Sequence, residues 1–442
     1  MTRLDDILRG ASFALTALLL IASPWLFGAW EMWWFWPFAG LLFAATGLFG
    51  VRRMLSVRVG PMRFEPAGPI RLLLFAWLPF MAYALVRSIQ AGVRMNAERS
   101  FLLWLTPLLI ALLILAGFSS RQRKALGILL SGNAILLGAY GIANYYLAGN
   151  ARVLWVPGYP EYQAGYLRAT GSYFCPDHFA SLMELGLALA LGLLFAAAVS
   201  RRLRAAAALL AIVALGGIVL SKSRGAGIAS GVMLLCALWM GPAHWPRRRA
   251  WLLRAAAIAA VAVGLALAAA AGGHYLKRFK EYPWRHIEES DRYQMSAAAL
   301  RAWKTAPVFG IGPGMHQNLW PHFAATADGD REKGIWPSVL NNAFHSYEVH
   351  NDWVQLIEET GLTGLILFLF AAGATARALL RGLPPRPGGG TSAFVLAALL
   401  ASSALAVHSF GDFVLQIPAT TWLLGALAGL GLADAPPPEA EA

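Results

Sequence analysis

Residues 101–118 read FLLWLTPLLIALLILAGF, eighteen positions without a charged side chain. An α-helix needs about 20 apolar residues to cross the hydrocarbon core of a membrane, so this stretch predicts a membrane span. Lipid offers no hydrogen-bond partner to the backbone, which restricts spanning structures to helices and closed barrels. A barrel strand requires alternating polar and apolar residues, and this stretch has no such alternation. We therefore predict a helix here.

Similar apolar stretches recur along the whole chain. Of its 442 residues, 58% are hydrophobic and 13% are charged, which excludes a soluble globular protein. The first stretch is followed by tryptophans and by no small-residue cleavage site, so we interpret it as a span and not as a signal peptide. We predict an all-α polytopic protein, a single integral-membrane domain over 1–442, with about twelve spans near 10–30, 33–51, 72–87, 101–118, 125–147, 178–199, 205–221, 225–244, 251–273, 352–374, 392–408 and 413–433.

Basic residues concentrate in every second gap between the predicted spans. Cytoplasmic loops carry an excess of lysine and arginine, so these gaps and both termini are predicted to be cytoplasmic. The net charge of +13 mostly reflects this bias and does not indicate a nucleic-acid-binding surface. The basic gaps contain Arg52, Arg53, Arg58, Arg63 and Arg71, then Arg121, Arg123 and Lys124, then Arg201, Arg202 and Arg204, then residues 247–249, then Arg377, Arg381 and Arg386.

Two regions on the opposite, outer side carry more positive charge than this rule favours. The first is the turn SKSRG, residues 221–225, between spans seven and eight. Lys222 and Arg224 either extend to lipid headgroups or form an anion site. Gly225 permits close approach of another part of the chain. The second region is the long connection 274–350 between spans nine and ten, and ordered connections of this length often hold functional residues.

The middle of the long connection has the periodicity of a helix. Met295, Ala298, Ala299 and Ala302 fall on one face of 293–304, which predicts an amphipathic helix on the outer surface. The run PVFGIGPG, residues 307–314, ends this helix with a tight turn. It lacks the following Lys-Ser/Thr of a phosphate-binding loop.

Span ten begins at His350-Asn351-Asp352, which places His350 at the outer mouth of the bundle. Asn351 is a plausible helix N-cap, and Asp352 complements the positive end of the helix dipole. Glu358 and Glu359 lie two turns deeper. An acid facing lipid near the membrane centre costs about 2.5–3.5 kcal/mol, so both glutamates should face the bundle and find partners.

Four blocks of this sequence resemble motifs of the O-antigen ligase and polymerase superfamily. Residues 350–364 read HNxxVxxxxExGxxG, and residues 307–314 resemble the family turn that precedes this motif. Residues 223–225 resemble its Ser-Arg-Gly. Residues 171–180, GSYFCPDHFA, resemble Gly-Thr-Phe-x-Asn-Pro-Asn-His-Phe-Ala, with Cys175 and Asp177 in place of two asparagines. The blocks reach from about 170 to 365 and all fall on the predicted outer face.

The resemblance implies a glycosyltransferase of the bacterial inner membrane whose active site faces the periplasm. Members transfer a glycan from an undecaprenyl diphosphate donor without a metal or other cofactor. The acceptor is lipid A-core in a ligase, a growing glycan in a polymerase, and a protein in an O-oligosaccharyltransferase. We favour the ligase among these three. A lipid-linked glycan transporter, which would use the same basic surface without catalysis, is the alternative outside the enzymes.

Displacing a diphosphate requires charge stabilisation on the leaving group and a base for the incoming hydroxyl. The planar fork of arginine fits phosphate oxygens. The resemblance implies that His350 is the catalytic base and that Arg224 binds the diphosphate. Arg292 matches the second family arginine, with Arg285 and Arg301 as alternatives. Further candidates for substrate binding are Lys222, Asn351, Glu359 and His178.

We predict no metal site. Asp328 and Asp330 have the spacing of a metal-binding pair but lie in a Gly/Asp-rich segment that is typical of a solvated loop. The spacing of the histidines in the long connection does not indicate zinc. The two cysteines, Cys175 and Cys236, lie at different depths and are not expected to pair, and neither redox chemistry nor a cysteine-based metal site is expected.

Overall fold

The computed structural model describes residues 2–57, 68–157, 167–196, 199–240, 251, 291–325, 345–383 and 392–435. Within these ranges the chain forms thirteen α-helices, which confirms an all-α polytopic protein. Two short strands, β1 (Arg152–Val153) and β2 (Val156–Pro157), pair antiparallel. The helices are α1 (Thr2–Trp25), α2 (Met32–Val57), α3 (Gly68–Gln90), α4 (Arg94–Gly117), α5 (Ser120–Ala148), α6 (Pro176–Phe195), α7 (Arg201–Ser221), α8 (Arg224–Met240), α9 (Asp291–Thr305), α10 (His316–Ala325), α11 (Asp352–Arg381), α12 (Ala393–His408) and α13 (Pro418–Asp434).

The predicted spans can be compared with these helices one by one. Eight helices, α1 to α7 and α11, are long and apolar enough to cross a membrane. The shorter helices α8, α12 and α13 coincide with three more predicted spans. The predicted ninth span, 251–273, lies outside the described residues except for its first residue. The count of twelve spans stays a prediction.

Helix α6 lies at the centre of the bundle and is buried along almost its whole length. It packs against α7 on one side and α12 on the other. Small residues allow the close approach, since a Cβ atom on Gly192 would lie 2.3 Å from the carbonyl oxygen of Ala393. The start of α6, which carries Asp177 and His178, is therefore held on a rigid support.

Helix α11 is interrupted at Gly361, where φ is 66° and ψ is −174°. The interruption removes hydrogen bonds that the helix would otherwise make within itself, and such groups must find partners inside a membrane. The loop 307–312 supplies them. Its four bonds are Ile311 N to Glu358 O (2.9 Å), Gly312 N to Glu359 O (3.0 Å), Leu362 N to Pro307 O (3.0 Å) and Thr363 N to Val308 O (3.1 Å).

Two glycines make this junction possible. A Cβ atom on Gly310 would lie 2.4 Å from the carbonyl of Glu359, and one on Gly361 would lie 2.4 Å from the carbonyl oxygen of Val308. Gly361 also has the positive φ that glycine adopts without strain. Its role is to break α11 within the predicted span 352–374 and admit the loop. The motifs at 307–314 and 350–364 are thus parts of one structural unit.

The predicted amphipathic helix is present as α9. Met295, Ala298, Ala299 and Ala302 are all buried, which confirms the predicted apolar face. This face packs against Trp320 of α10. Helix α9 also contacts α11, so the pair α9 and α10 is fastened to the bundle next to the start of α11.

Candidate functional site

Polar side chains from five segments meet at the end of the bundle where α6, α8, α11 and α13 begin. Helix α11 is fastened there by Asp352, whose carboxylate accepts hydrogen bonds from Ser409 Oγ (2.8 Å) and Leu415 N (2.9 Å). Asn351 caps the helix through its side chain, which accepts from Val354 N (3.1 Å) and confirms the predicted N-cap. These contacts fix the segment before α11 against the loop between α12 and α13.

His350 immediately precedes this anchored start. Its Nδ1 lies 3.0 Å from Asp412 Oδ1, and the ring meets Phe413 edge-on with centroids 4.5 Å apart. The side chain is 27% exposed. Among the described residues no hydrogen bond reaches Nε2. The ring is therefore held by one nitrogen and presents the other to the surroundings.

Asp412, on the loop between α12 and α13, is fully buried. Its Oδ2 lies 3.1 Å from Arg292 Nη2, and its Oδ1 also accepts from Phe413 N (2.9 Å). Burial by itself would raise the pKa of Asp412, but Arg292 and then His350 hold that pKa well below its usual range. Asp412 is therefore an ionised carboxylate facing His350.

Arg292 at the start of α9 bridges two carboxylates. The same Nη2 lies 3.1 Å from Asp177 Oδ2, and Nη1 donates to the carbonyl of Gly411. Burial opposes its charge, yet Asp412 and Asp177 raise the pKa of Arg292 above its usual value. The side chain is 41% exposed, so part of this fixed cation remains accessible.

Arg168 connects this cluster to the turn between α7 and α8. Its Nη2 lies 2.8 Å from Asp177 Oδ1, and its Nε donates to the carbonyl of Ser221 (2.7 Å). Ser223 also hydrogen-bonds to Asp177. Arg224 follows directly as the first residue of α8 and is half-buried. The turn that carries Arg224 is thereby tied to the carboxylates that hold Arg292.

Gly225 allows the predicted close approach. A Cβ atom at this position would lie 2.7 Å from Cδ2 of His408, the last residue of α12. His408 is buried and its Nδ1 lies 3.0 Å from Glu184 Oε1 in the middle of α6. The buried pair of His408 and Glu184 therefore lies directly against the start of α8, next to the cluster.

Donor atoms that could hold a metal also occur here. Within the part of the chain that the structure describes, two groups have their ligand atoms within 4.8 Å of one another: Cys175 with His178 and Asp412, and Asp177 with His408 and Asp412. Sequence spacing did not indicate either group, because their members come from segments far apart in the chain. The expectation that transfer needs no metal stays a prediction.

A second histidine–carboxylate pair lies two turns further along α11. His316 Nδ1 is 2.9 Å from Glu358 Oε2, and its Nε2 is 3.0 Å from Ser346 Oγ. This order resembles a hydrolase triad. However, the Ser346 hydroxyl donates to the carbonyl of Glu348 (2.9 Å), so it can only accept from Nε2–H. Burial lowers the pKa of His316, but Glu358 together with the neighbouring acids Glu348 and Glu359 gives a net rise. The ring, which donates to Glu358 and to Ser346, acts as a buried support.

The remaining acids of this region are paired as well. Glu348 Oε1 lies 3.7 Å from Arg99 Nη1. Gln355 donates to Glu348 and to Glu359 Oε1, the latter at 3.4 Å. Glu358 and Glu359 are 1% and 2% exposed, which confirms that both face the protein. Glu359 thus belongs to the support around His316, and among the described residues no hydrogen bond joins it to His350.

A protein-family model described as O-antigen ligase matches residues 209–369. This segment of the chain is similar to an O-antigen ligase domain. The match includes three of the four motifs, those at 223–225, 307–314 and 350–364. It confirms the resemblance, and with it an enzyme of the membrane glycan ligase or polymerase type. A search of curated proteins finds no match to the chain.

The fold brings most of the predicted site residues together. His350, Arg292 and His178 all face Asp412, and the turn with Lys222 and Arg224 is tied to Asp177. The other candidates have different surroundings. Asn351 is used as a helix cap, Arg301 donates to the carbonyl of Phe323 (3.2 Å), and Arg285 lies outside the described residues.

Sequence reasoning did not name three residues of this site, Asp412, Arg168 and Asp177, although it noted Asp177 as a departure from the family motif. Asp412 lies past the end of the matched segment, in the short HSFGDF break, residues 408–413, between the last two apolar stretches. An acid in such a break was a usable signal, because ionisable residues at membrane depth are rarely placed without a function. Arg168 precedes the block 171–180 and had no motif to mark it.

Proposed function

We propose that this enzyme is an O-antigen ligase that transfers a glycan from undecaprenyl diphosphate to a hydroxyl group of lipid A-core. The observation that carries the proposal is the pairing of partly exposed His350 with ionised Asp412, which also contacts the partly exposed guanidinium of Arg292. A base and a cation in contact with one carboxylate match the two demands of displacing a diphosphate.

In the proposed step the acceptor hydroxyl attacks the anomeric carbon of the donor sugar. The carbon–oxygen bond to the diphosphate breaks as the new glycosidic bond forms, and undecaprenyl diphosphate leaves. The hydroxyl proton passes to His350 Nε2. Asp412 accepts a hydrogen bond from Nδ1–H, which keeps Nε2 unprotonated before the step and stabilises the imidazolium after it.

The negative charge that develops on the leaving diphosphate requires fixed cations. Arg292 is held by Asp177 and Asp412, so its position costs no rearrangement during the reaction. Arg224 starts a helix, where backbone N–H groups and the helix dipole also favour phosphate. Lys222 on the same turn adds positive charge. We assign the two arginines to the donor and His350 to the acceptor.

The proposed location is the bacterial inner membrane with the site facing the periplasm. The basic gaps predict that orientation, because they fall at the opposite ends of the helices from His350 and Arg224. A periplasmic site would meet the glycan after its lipid-linked donor has reached the outer leaflet.

The test is transfer by purified protein carrying His350→Ala. Loss of a positioned general base costs about 10²–10⁴ in rate, so transfer should fall by that factor while donor binding stays close to wild type. His322→Ala is the matched control, since His322 is an exposed histidine of α10. Near-normal transfer by His350→Ala would contradict the proposal.

Arg224→Lys distinguishes the donor role from general charge. Lysine keeps the positive charge but loses the bidentate fork, so we expect partial donor binding with poor turnover. Unchanged binding and turnover would remove Arg224 from the donor site.

The acceptor is tested by deleting the protein in its source organism and examining the lipopolysaccharide. A ligase predicts the loss of all long glycan from lipid A-core. A product that keeps one repeat unit would identify a polymerase.

A further inference from the structure

Two side chains that have no part in the proposed transfer converge on Asp412. One ligand atom each from Cys175, His178 and Asp412 lies within 4.8 Å of the other two. Cys175, the residue before α6, is half-buried. The other two side chains are buried.

His178 gives the second, independent indication of a ligand. Its side chain is more than nine-tenths buried, and Nε2 has no hydrogen-bond partner among the described residues. The nearest charged oxygen is Asp412 Oδ1 at 3.9 Å, which is too far for a hydrogen bond. A buried polar atom without a partner loses its contact with water and gains nothing in return, so its retention calls for an explanation.

We propose that Cys175 Sγ, His178 Nε2 and Asp412 Oδ1 bind Zn²⁺ or a similar soft divalent transition metal and that this binding inhibits the enzyme. Thiolate, imidazole and carboxylate are the ligands that zinc takes in proteins, and three of them leave a fourth position for water. Binding converts the Cys175 thiol to a thiolate and releases its proton to solvent. Arg292 faces the other oxygen, Asp412 Oδ2, so the metal has to compete for Oδ1 with the groups that already donate to it.

The overlapping group of Asp177, His408 and Asp412 is the weaker candidate. All three of its members are buried, so it offers no entry for an ion. Asp177 is already paired with Arg168 at 2.8 Å, and His408 with Glu184 at 3.0 Å. The group that contains Cys175 has the accessible member and the unpartnered nitrogen.

Inhibition follows from the shared carboxylate. A metal on Asp412 Oδ1 competes with His350 Nδ1, which lies 3.0 Å from the same oxygen, and the base loses its orienting partner. This consequence rests on the proposed transfer, whereas the metal site itself does not. Cys175 stands where the resembling motif has asparagine, so its thiol is a property of this chain and is not needed for basal transfer.

The experiment is a Co²⁺ titration of the purified full-length protein in detergent, followed by absorption spectroscopy. Wild type should give a near-ultraviolet thiolate-to-cobalt charge-transfer band and the visible bands of a tetrahedral site, and Zn²⁺ should abolish both. Cys175→Ser should lose the charge-transfer band and require at least about tenfold more Co²⁺. Cys236→Ser is the matched control and should behave as wild type, because Cys236 lies within α8.

Three spectroscopic results would overturn the metal site. They are the absence of Co²⁺ binding by wild type at micromolar concentration, a spectrum that Cys175→Ser leaves unchanged, and a charge-transfer band that disappears in Cys236→Ser. None of these measurements uses the donor or the acceptor. A failure of the transfer assay would therefore leave the test of the metal site unaffected.

The inhibitory role has its own readout. Zn²⁺ should reduce transfer by wild type at the concentrations that displace Co²⁺, and EDTA should restore it. Cys175→Ser should transfer at the wild-type basal rate and tolerate at least about tenfold more Zn²⁺. Equal Zn²⁺ sensitivity of wild type and Cys175→Ser would overturn inhibition through this site.

Discussion

His350 and His316 make the same contact with different results. Each directs Nδ1 to a buried carboxylate, at 3.0 Å from Asp412 and 2.9 Å from Glu358. His316 is 1% exposed and its Nε2 is taken by Ser346, whereas His350 is 27% exposed. Among the described residues nothing hydrogen-bonds to Nε2 of His350.

The difference shows that the histidine–carboxylate pair does not define a catalytic site by itself. The pair around His316 is enclosed and doubly hydrogen-bonded, so its ring can neither receive a proton from a substrate nor reach one. The pair around His350 leaves one nitrogen available beside a fixed arginine. Access to Nε2 therefore decides which pair can act as a base.

The largest expected effect is a loss of transfer activity when the carboxylate of the His350 pair is changed. Asp412→Asn keeps the shape of the side chain but removes the charge that orients and stabilises the His350 ring, so transfer should fall about 10²–10⁴-fold. The measurement is the transfer rate of purified protein at saturating donor. A rate close to wild type would show that His350 works without its carboxylate.

The matched change in the enclosed pair should act on stability instead. Glu358→Gln leaves His316 as a buried cation without its counter-charge, and breaking a buried pair costs about 3–5 kcal/mol. Thermal unfolding in mild detergent should show this loss, while the protein that remains folded transfers at a near-normal rate. Full stability combined with lost transfer would reverse the roles that we assign to the two pairs.

A smaller effect concerns the pH dependence of stability, which should run in opposite directions for the two pairs. The raised pKa of His316 gives a contribution that is complete below about pH 6.5 and is lost as the pH rises through the raised value. The lowered pKa of Asp412 gives a contribution that is present above about pH 3.9 and is lost as the pH falls through the lowered value.

The check is the unfolding temperature of wild type measured across pH. The difference in unfolding temperature between wild type and His316→Gln should shrink as the pH rises. The difference between wild type and Asp412→Asn should shrink as the pH falls. Parallel curves for wild type and either variant would contradict the charge states assigned to that pair.

The sequence was most informative where one physical constraint acts on a long stretch. Apolar runs predicted the helices of the bundle, and the spacing of Met295 and its neighbours predicted the buried face of α9. The N-cap at Asn351 was also predictable, because the side chain that caps a helix and the backbone groups that it binds are close in the sequence.

The sequence was least informative where segments that are far apart in the chain bind one another in the fold. The break at Gly361 lies inside an apolar, helix-like run, and the loop that satisfies it comes about fifty residues earlier. Asp412 and Arg168 likewise become visible only when the start of α6, the start of α9 and the last interhelical loop are brought together. Each of these contacts depends on tertiary packing, and tertiary contacts between distant segments leave no repeating pattern in the sequence.

The interrupted helix α11 also constrains how the protein enters its membrane. A separate helix with the break at Gly361 would carry unpaired peptide groups into lipid, at a cost of several kcal/mol for each group. The loop 307–312 precedes α11 in the chain and is synthesised first, so it can pair with those groups as the helix emerges. Complete insertion of α11 is therefore coupled to the docking of a segment that does not itself span, and membrane integration of this helix becomes a tertiary folding event.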